Sequence, residues 1–193
     1  MRGFFVTGTG TGVGKTVLSA SLALARGAGY WKPVQTGLES DTAEVQRLTG
    51  CKVLDRGVRL PDPVAPYLAA RRIGTRVDLA EVLAHAPQEG EWIVEGAGGV
   101  LVPLNENEMM LDVMERLALP VIVAARTTLG TINHTLLTLD AIRSRGLTVE
   151  RVVMVGDRDR DNREAIEVYG RVKVDELPWM EPLTREALRF HPL

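Results

Sequence analysis

The amino-acid sequence predicts an α/β fold: a mainly parallel β-sheet flanked by helices on both faces. Short apolar runs rich in β-branched residues recur along the chain, each bounded by Gly or Pro, as strands buried on both faces should be. Stretches with helical periodicity separate them, and such a strand–helix alternation argues for parallel pairing. The length of 193 residues suits one large domain and suffices to bury a core without disulfides or structural metal. Residues 1–193 are therefore expected to form a single domain.

Phe4-Phe5-Val6 reads as the first strand, followed by a Gly/Thr loop and a helix from Thr16 to Arg26. Trp31 to Val34 reads as a second strand, made irregular by Pro33. Further strands are expected at Trp92-Ile93-Val94, Val121 to Ala124 and Val152 to Val155, and further helices near Asp41 to Leu48, Asp78 to Leu83, Leu111 to Leu117 and Thr131 to Arg143. Leu60 to Pro66 holds three prolines and reads as an extended connection. The alternating charges of Asp157-Arg158-Asp159-Arg160-Asp161 suit a solvated loop. There is no internal repeat or low-complexity segment.

The net charge of −2 excludes a strongly basic nucleic-acid binder. The single cysteine, Cys51, excludes a disulfide framework and fits a reducing cytosol. No targeting segment precedes the first strand and no apolar run is long enough for a membrane span, so a cytoplasmic protein is expected, with neither nucleic acid nor membrane as partner. Only four of the 23 basic residues are lysines: Lys15, Lys32, Lys52 and Lys173. A chain that uses arginine for general positive charge directs attention to each lysine as a compact point charge.

The segment Thr7-Gly8-Thr9-Gly10-Thr11-Gly12-Val13-Gly14-Lys15-Thr16 lies between the first strand and the first helix. Its glycines let backbone N–H groups curl around an anion, and the helix N-terminus adds partial positive charge. Lys15 is placed to reach β and γ phosphates, and the Thr16 hydroxyl to ligate Mg²⁺. The strict G-x4-G-K-[ST] pattern would have glycine where Thr9 stands, so the loop is a variant, one residue longer if it starts at Gly8. A dinucleotide site fits poorly, because the glycine spacing departs from G-x-G-x-x-G and leaves Lys15-Thr16 unexplained. The reading is a nucleoside triphosphate site on a P-loop nucleoside triphosphatase fold.

A second acidic element is Trp92-Ile93-Val94-Glu95-Gly96-Ala97-Gly98-Gly99, an apolar strand ending in a carboxylate and then glycines. A strand-end acid facing a phosphate loop is where a further Mg²⁺ contact is expected; a Glu capped by a turn is the structural alternative. Asp41, after Ser40 at a helix start, serves either as an N-terminal cap or as a metal contact. Lys32 sits in an apolar strand, either snorkelling from an edge or placed to meet anionic charge. Leu129-Gly130-Thr131-Ile132-Asn133-His134 opens another helix, whose free N–H groups suit a carboxylate. His134 reads as structural, and His85 and His191 have no constellation around them. No Cys/His spacing suggests zinc, and no nucleophile–base–acid triad is present.

Thr7-Gly8-Thr9-x-Thr11-Gly12-Val13-Gly14-Lys15-Thr16, Lys32-Pro33-Val34-x-Thr36-Gly37, Val94-Glu95-Gly96-Ala97-Gly98-Gly99 and Leu129-Gly130-Thr131-Ile132-Asn133-His134 together resemble dethiobiotin synthetase, the ATP-dependent cyclising ligase of biotin synthesis. The motifs follow in order over most of the chain, Ala65-Pro66 to Ala69-Ala70 is also similar, and only the region after about Val155 fits loosely. The resemblance implies that ATP, CO₂ and 7,8-diaminononanoate give dethiobiotin, ADP and phosphate through a carbamate and a carbamic–phosphoric anhydride. Such chemistry needs in-line positioning and charge neutralisation rather than an enzyme nucleophile. It implies that Thr11, Gly12, Val13, Gly14, Lys15 and Thr16 cradle the phosphates, with Gly96, Ala97 and Gly98 also at the nucleotide. Thr16, Asp41 and Glu95 would hold Mg²⁺, and Lys15 and Lys32 would act as the catalytic cations. Thr36 and Lys32 would contact the diamine. Gly130, Thr131 and Asn133 would bind the substrate carboxylate from a partner subunit, so a homodimer with its substrate site at the interface is expected.

Two positions depart from the family pattern. Gly10 stands where Asp is usual, and Gly156-Asp157 where Asn-Asp is frequent, so no side-chain amide is offered to adenine. Base contacts are then expected from the backbone around Leu177, Pro178 and Trp179. Two rivals share the phosphate loop. A partitioning-type switch ATPase would carry a lysine where Gly10 stands, and an amidation domain of the cobalamin-synthesis kind would come with a glutaminase cysteine in a context that Cys51 lacks.

Overall fold

The computed structural model describes residues 1–190; His191 lies outside them. A seven-stranded sheet forms the centre, assembled from β1 (Arg2–Gly8), β2 (Gly29–Trp31), β4 (Val53–Leu54), β6 (Glu91–Glu95), β7 (Val121–Ala125), β8 (Val149–Val155) and β9 (Val174–Leu177). Its order is β4-β2-β6-β1-β7-β8-β9, and every pairing is parallel. A separate two-stranded parallel sheet pairs β3 (Val34–Thr36) with β5 (Val58–Leu60). The helices are α1 (Lys15–Arg26), α2 (Asp41–Thr49), α3 (Pro66–Arg72), α4 (Leu79–Ala84), α5 (Met110–Leu117), α6 (Thr131–Ser144), α7 (Arg160–Gly170) and α8 (Arg185–Phe190).

Both faces of the sheet are covered, as the continuous apolar strands require. Along the strands, alternate side chains enter different cores. Phe5, Trp92, Val94, Val121, Val123, Val152 and Met154 pack with Val82, Met114, Ile142 and Ile166 on the α4–α7 side. Val6, Ile93, Ile122, Ala124 and Val153 pack against Leu18 and Leu22 of α1 on the other. The parallel direction brings the carboxyl ends of β1, β2, β6 and β7 to one edge, where an α/β sheet holds its ligand.

Three expectations are corrected in detail. The strand expected from Trp31 to Val34 is two strands, broken at Lys32-Pro33: proline has no N–H for a ladder, and Val34 continues into the separate sheet beside β5. Pro66 is not part of the extended connection but the first residue of α3, where its fixed φ favours the helix and its missing N–H costs nothing. The charged run from Asp157 is a loop only as far as Asp159, whose carboxylate accepts from Asn162 N–H and caps α7. The remaining short elements, β4, β5, α3, β9 and α8, carry too few periodic residues to be read in advance, and α7, although eleven residues long, buries only Ile166 and Gly170 and so shows little apolar periodicity.

The break at Lys32-Pro33 is fixed from below. The Val58 N–H donates to the Pro33 carbonyl at 2.9 Å. A Cβ at Gly57 would lie 2.5 Å from that carbonyl oxygen and 3.0 Å from the Lys32 carbonyl oxygen, so only glycine fits without moving backbone. Gly57→Ala is expected to destabilise the protein by about 2 kcal/mol, or roughly 4–8 °C in Tm. Thermal denaturation checks this, and a Tm within about 1 °C of wild type would mean that the segment yields freely.

Candidate active site

The loop after β1 turns into α1 at Gly14, which caps the helix in the left-handed conformation at φ 89°. A Cβ there would meet the Val155 side chain at 2.5 Å, so glycine is required by both torsion and space. The Lys15 ammonium folds back onto its own loop and donates to the Gly10 carbonyl at 2.7 Å. Lys15 is almost fully buried, and burial lowers its pKa from 10.5 to about 8; the Glu95 carboxylate opposes that shift, while Lys32 and Arg126 add to it. An anion entering the loop would meet a cation that has little else to neutralise it.

Thr16, the next residue, faces two carboxylates. Its Oγ1 lies 3.0 Å from Asp41 Oδ1 and 3.2 Å from Glu95 Oε1, and its one proton serves either. Glu95 ends β6 and is fully buried. The Lys32 ammonium bridges the pair, 2.5 Å from Asp41 Oδ2 and 2.7 Å from Glu95 Oε1. The other Glu95 oxygen accepts from the Tyr30 hydroxyl at 3.0 Å. Burial alone would lower the Lys32 pKa, but Glu95 and Asp41 outweigh it and hold the ammonium above its usual value. Burial, and then Glu95 and Asp41, push the Tyr30 hydroxyl well up, so it remains a donor.

Asp41 is not the helix cap. The Ser40 hydroxyl accepts from Ala43 N–H and caps α2, which leaves Asp41, one residue further, free to face Thr16 and Lys32. Of its two sequence alternatives, the structure favours the polar cluster. The oxygens of Thr16, Asp41 and Glu95 are hard donors, two of them anionic, which is the chemistry that suits Mg²⁺. Among the described residues no group of three or more His, Cys, Asp or Glu is arranged to hold a metal, so any such ion would rest on this mixed set and on its ligand.

These groups line a cleft of about 420 Å³ with Thr11, Gly12, Gly14, Thr36, Ala97, Gly98 and Trp179. Val13 is buried and lines the neighbouring pocket rather than the cleft, and Gly96 packs toward the Phe5 ring. Gly156, Asp157, Leu177 and Pro178 lie at and beyond the ends of β8 and β9, joined where Gly156 N–H donates to the Leu177 carbonyl at 3.0 Å. Of that region, Trp179 alone lines the cleft. Thr131, opening α6, lines a smaller neighbouring pocket of about 230 Å³ with Thr9, Gly10, Arg126 and His134, and Gly130 caps that helix. Asn133 lines a different groove, with Arg143 and Tyr169. Tyr30, Gln35, Glu39 and Arg126 also stand at or beside the site without belonging to any motif that marks them in the sequence. Arg126 follows β7 and donates to the Thr11 carbonyl at 2.8 Å; an arginine directly after an apolar strand was its only signal.

An AAA domain family matches residues 2–187. The ATP-dependent dethiobiotin synthetase BioD of Sphingopyxis alaskensis is 46% identical over 191 residues, covering 97% of this chain and 93% of the relative. Its counterpart in Paramagnetospirillum magneticum is 48% identical over 186 residues, covering 95% and 89%. The chain belongs to the dethiobiotin synthetase family. That of Agrobacterium fabrum is similarly placed at 45% identity, covering 96% of this chain and 90% of its own. Among solved structures, a ParA family ATPase from Chlorobium tepidum superposes with a TM-score of 0.58 at 14% identity, covering 97% of this chain and 88% of the other. HypB from Helicobacter pylori, in complex with nickel, gives 0.52 at 14%, covering 98% and 83%. Those two similarities establish the P-loop fold and nothing finer. Among the described residues of this synthetase family member, no helix is long and apolar enough to cross a membrane.

The Lys32 bridge neutralises a carboxylate that has no access to water. Removing one partner of a buried pair typically costs 3–5 kcal/mol. Lys32→Met, which keeps the stem and removes the charge, is expected to destabilise the nucleotide-free protein by about 3 kcal/mol, or roughly 6–12 °C in Tm. A fall of less than about 2 °C in a thermal melt would show that Glu95 does not depend on the ammonium.

Proposed function

We propose that this ATP-dependent ligase carboxylates and cyclises 7,8-diaminononanoate with CO₂ to dethiobiotin, releasing ADP and phosphate. The observation that carries the reading is the convergence of Lys15, Lys32, Thr16, Asp41 and Glu95 on one cleft that also presents Thr36. One amine of the substrate takes up CO₂ as a carbamate and loses a proton. A carbamate oxygen then attacks the γ-phosphorus of ATP, ADP leaves, and a carbamic–phosphoric anhydride remains. The second amine attacks the carbonyl carbon, phosphate leaves, and the ureido ring closes. None of these steps needs an enzyme nucleophile.

The protein's task is to hold charge and geometry. The backbone N–H groups from Thr11 to Thr16, at the start of α1, would cradle the phosphates. Thr16, Asp41 and Glu95 would hold Mg²⁺, which supplies charge neutralisation at the β and γ phosphates when bound. Lys15 and Lys32, both nearly buried, would balance the carbamate and the transferring phosphoryl group, where low dielectric strengthens their effect. Thr36 would bond the diamine. Trp179 and the backbone before it would border the base.

The helix start at Gly130, Thr131 and Asn133 would take the substrate carboxylate in a homodimer. Asn133 faces a groove separate from the cleft of its own chain, as suits a residue serving a partner. A cytoplasmic location accords with the free thiol of Cys51.

Phosphate release from MgATP in bicarbonate buffer, with and without 7,8-diaminononanoate, tests the reaction. Release should require the diamine and match dethiobiotin one-to-one; hydrolysis indifferent to the diamine would favour a switch ATPase instead. Lys32→Ala should lower kcat by at least about a hundredfold, near 2.7 kcal/mol of barrier. Turnover within about threefold of wild type removes Lys32 from the chemistry.

A further inference from the structure

Glu95 is engaged from two sides. Its Oε1 faces the cleft, with the Lys32 ammonium at 2.7 Å and Thr16 Oγ1 at 3.2 Å. Its Oε2 faces away, to the Tyr30 hydroxyl at 3.0 Å. Tyr30 stands on β2, the strand beside β6, in register with Ile93. Its ring is fully buried in a cluster with Ala20, Val45, Leu48 and Leu188, so the hydroxyl cannot turn away. Tyr30 does not line the cleft. Whatever it does for the site, it does through Glu95.

A carboxylate at a strand end can rotate about its last bond and offer either oxygen, or both. The Tyr30 hydroxyl removes that freedom by giving Oε2 a partner that Oε1 lacks. We propose that Tyr30 is a positioning residue of the cation site, fixing Glu95 so that Oε1 alone is presented beside Thr16 and Asp41. The proposal rests on the reading of Thr16, Asp41 and Glu95 as the Mg²⁺ holders. Partners of metal-binding carboxylates typically change metal affinity or activity by 10–100-fold when removed, and Tyr30 has the burial and the geometry for such a role.

The test is Mn²⁺ binding to the full chain with a non-hydrolysable ATP analogue, read by electron paramagnetic resonance. Tyr30→Phe, Glu95→Gln and the double variant are compared with wild type. Tyr30→Phe keeps the ring and its packing, and circular dichroism and Tm serve as folding controls. The Mn²⁺ Kd of Tyr30→Phe should rise about tenfold, while analogue affinity in the presence of a chelator stays unchanged. The double variant, which carries no buried charge at position 95, should lose no more Mn²⁺ affinity than Glu95→Gln alone, because Tyr30 acts only through that carboxylate. A Tyr30→Phe Kd within twofold of wild type overturns the proposal, and so do additive losses in the double variant. An unchanged Kd in Glu95→Gln overturns the metal reading itself.

Discussion

The whole arrangement depends on one buried carboxylate. Glu95 has no exposed surface, and an isolated charge in such a place is not tolerated. The fold answers with an ammonium from Lys32 and hydroxyls from Thr16 and Tyr30, drawn from two other segments of the chain, the start of α1 and the end of β2. Each is held by a different structural device. Thr16 rides on the first turn of α1, Tyr30 is locked in a core cluster, and Lys32 sits where Pro33 ends the main sheet's claim on the strand. A net stability of 5–15 kcal/mol is typical of a folded protein, so a defect here would consume a large fraction of it. The polar cluster and the fold are therefore maintained by the same contacts.

The sheet explains why these groups meet at all. Parallel strands with helical crossovers place every strand's carboxyl end on the same edge. β1 contributes the phosphate loop, β6 contributes Glu95, and β2 contributes Tyr30 and, just past its end, Lys32. Leu18 and Leu22 of α1 pack against Val6, Ile93 and Ile122, which seats the helix whose N-terminus faces the anion site. The apolar core thus sets the distances of the polar cluster. Val155 carries the same logic to β8, filling the space that a side chain at position 14 would need.

Much of this was legible in the sequence, and for identifiable reasons. The phosphate loop, the strand-end Glu95 and the strands β1, β6, β7 and β8 announce themselves through glycine spacing and continuous apolar runs. Lys32 stood out because lysine is rare in this chain and rarer inside an apolar run. The role of Asp41 stayed open because a cap and a polar-cluster residue look alike at a helix start; only the contacts of Asp41 with Thr16 and Lys32, from other segments, separate them. Tyr30 was invisible, since a tyrosine in a buried strand reads as core until the strand order puts it beside Glu95. Arg126 was hidden for the same reason, its partner Thr11 lying far away in sequence. Strands of two or three residues, such as β4 and β5, owe their existence to pairing and have no periodicity of their own.

The small sheet of β3 and β5 stands apart from the main one. The wall that carries Thr36 is thereby built as a separate panel, joined to the nucleotide half at Lys32-Pro33. The cleft is therefore lined from two sheets that share no ladder: the phosphate loop comes from the main one and Thr36 from the small one. A displacement of β3 or β5 can thus reshape the Thr36 side of the cleft without breaking a hydrogen bond of the main sheet.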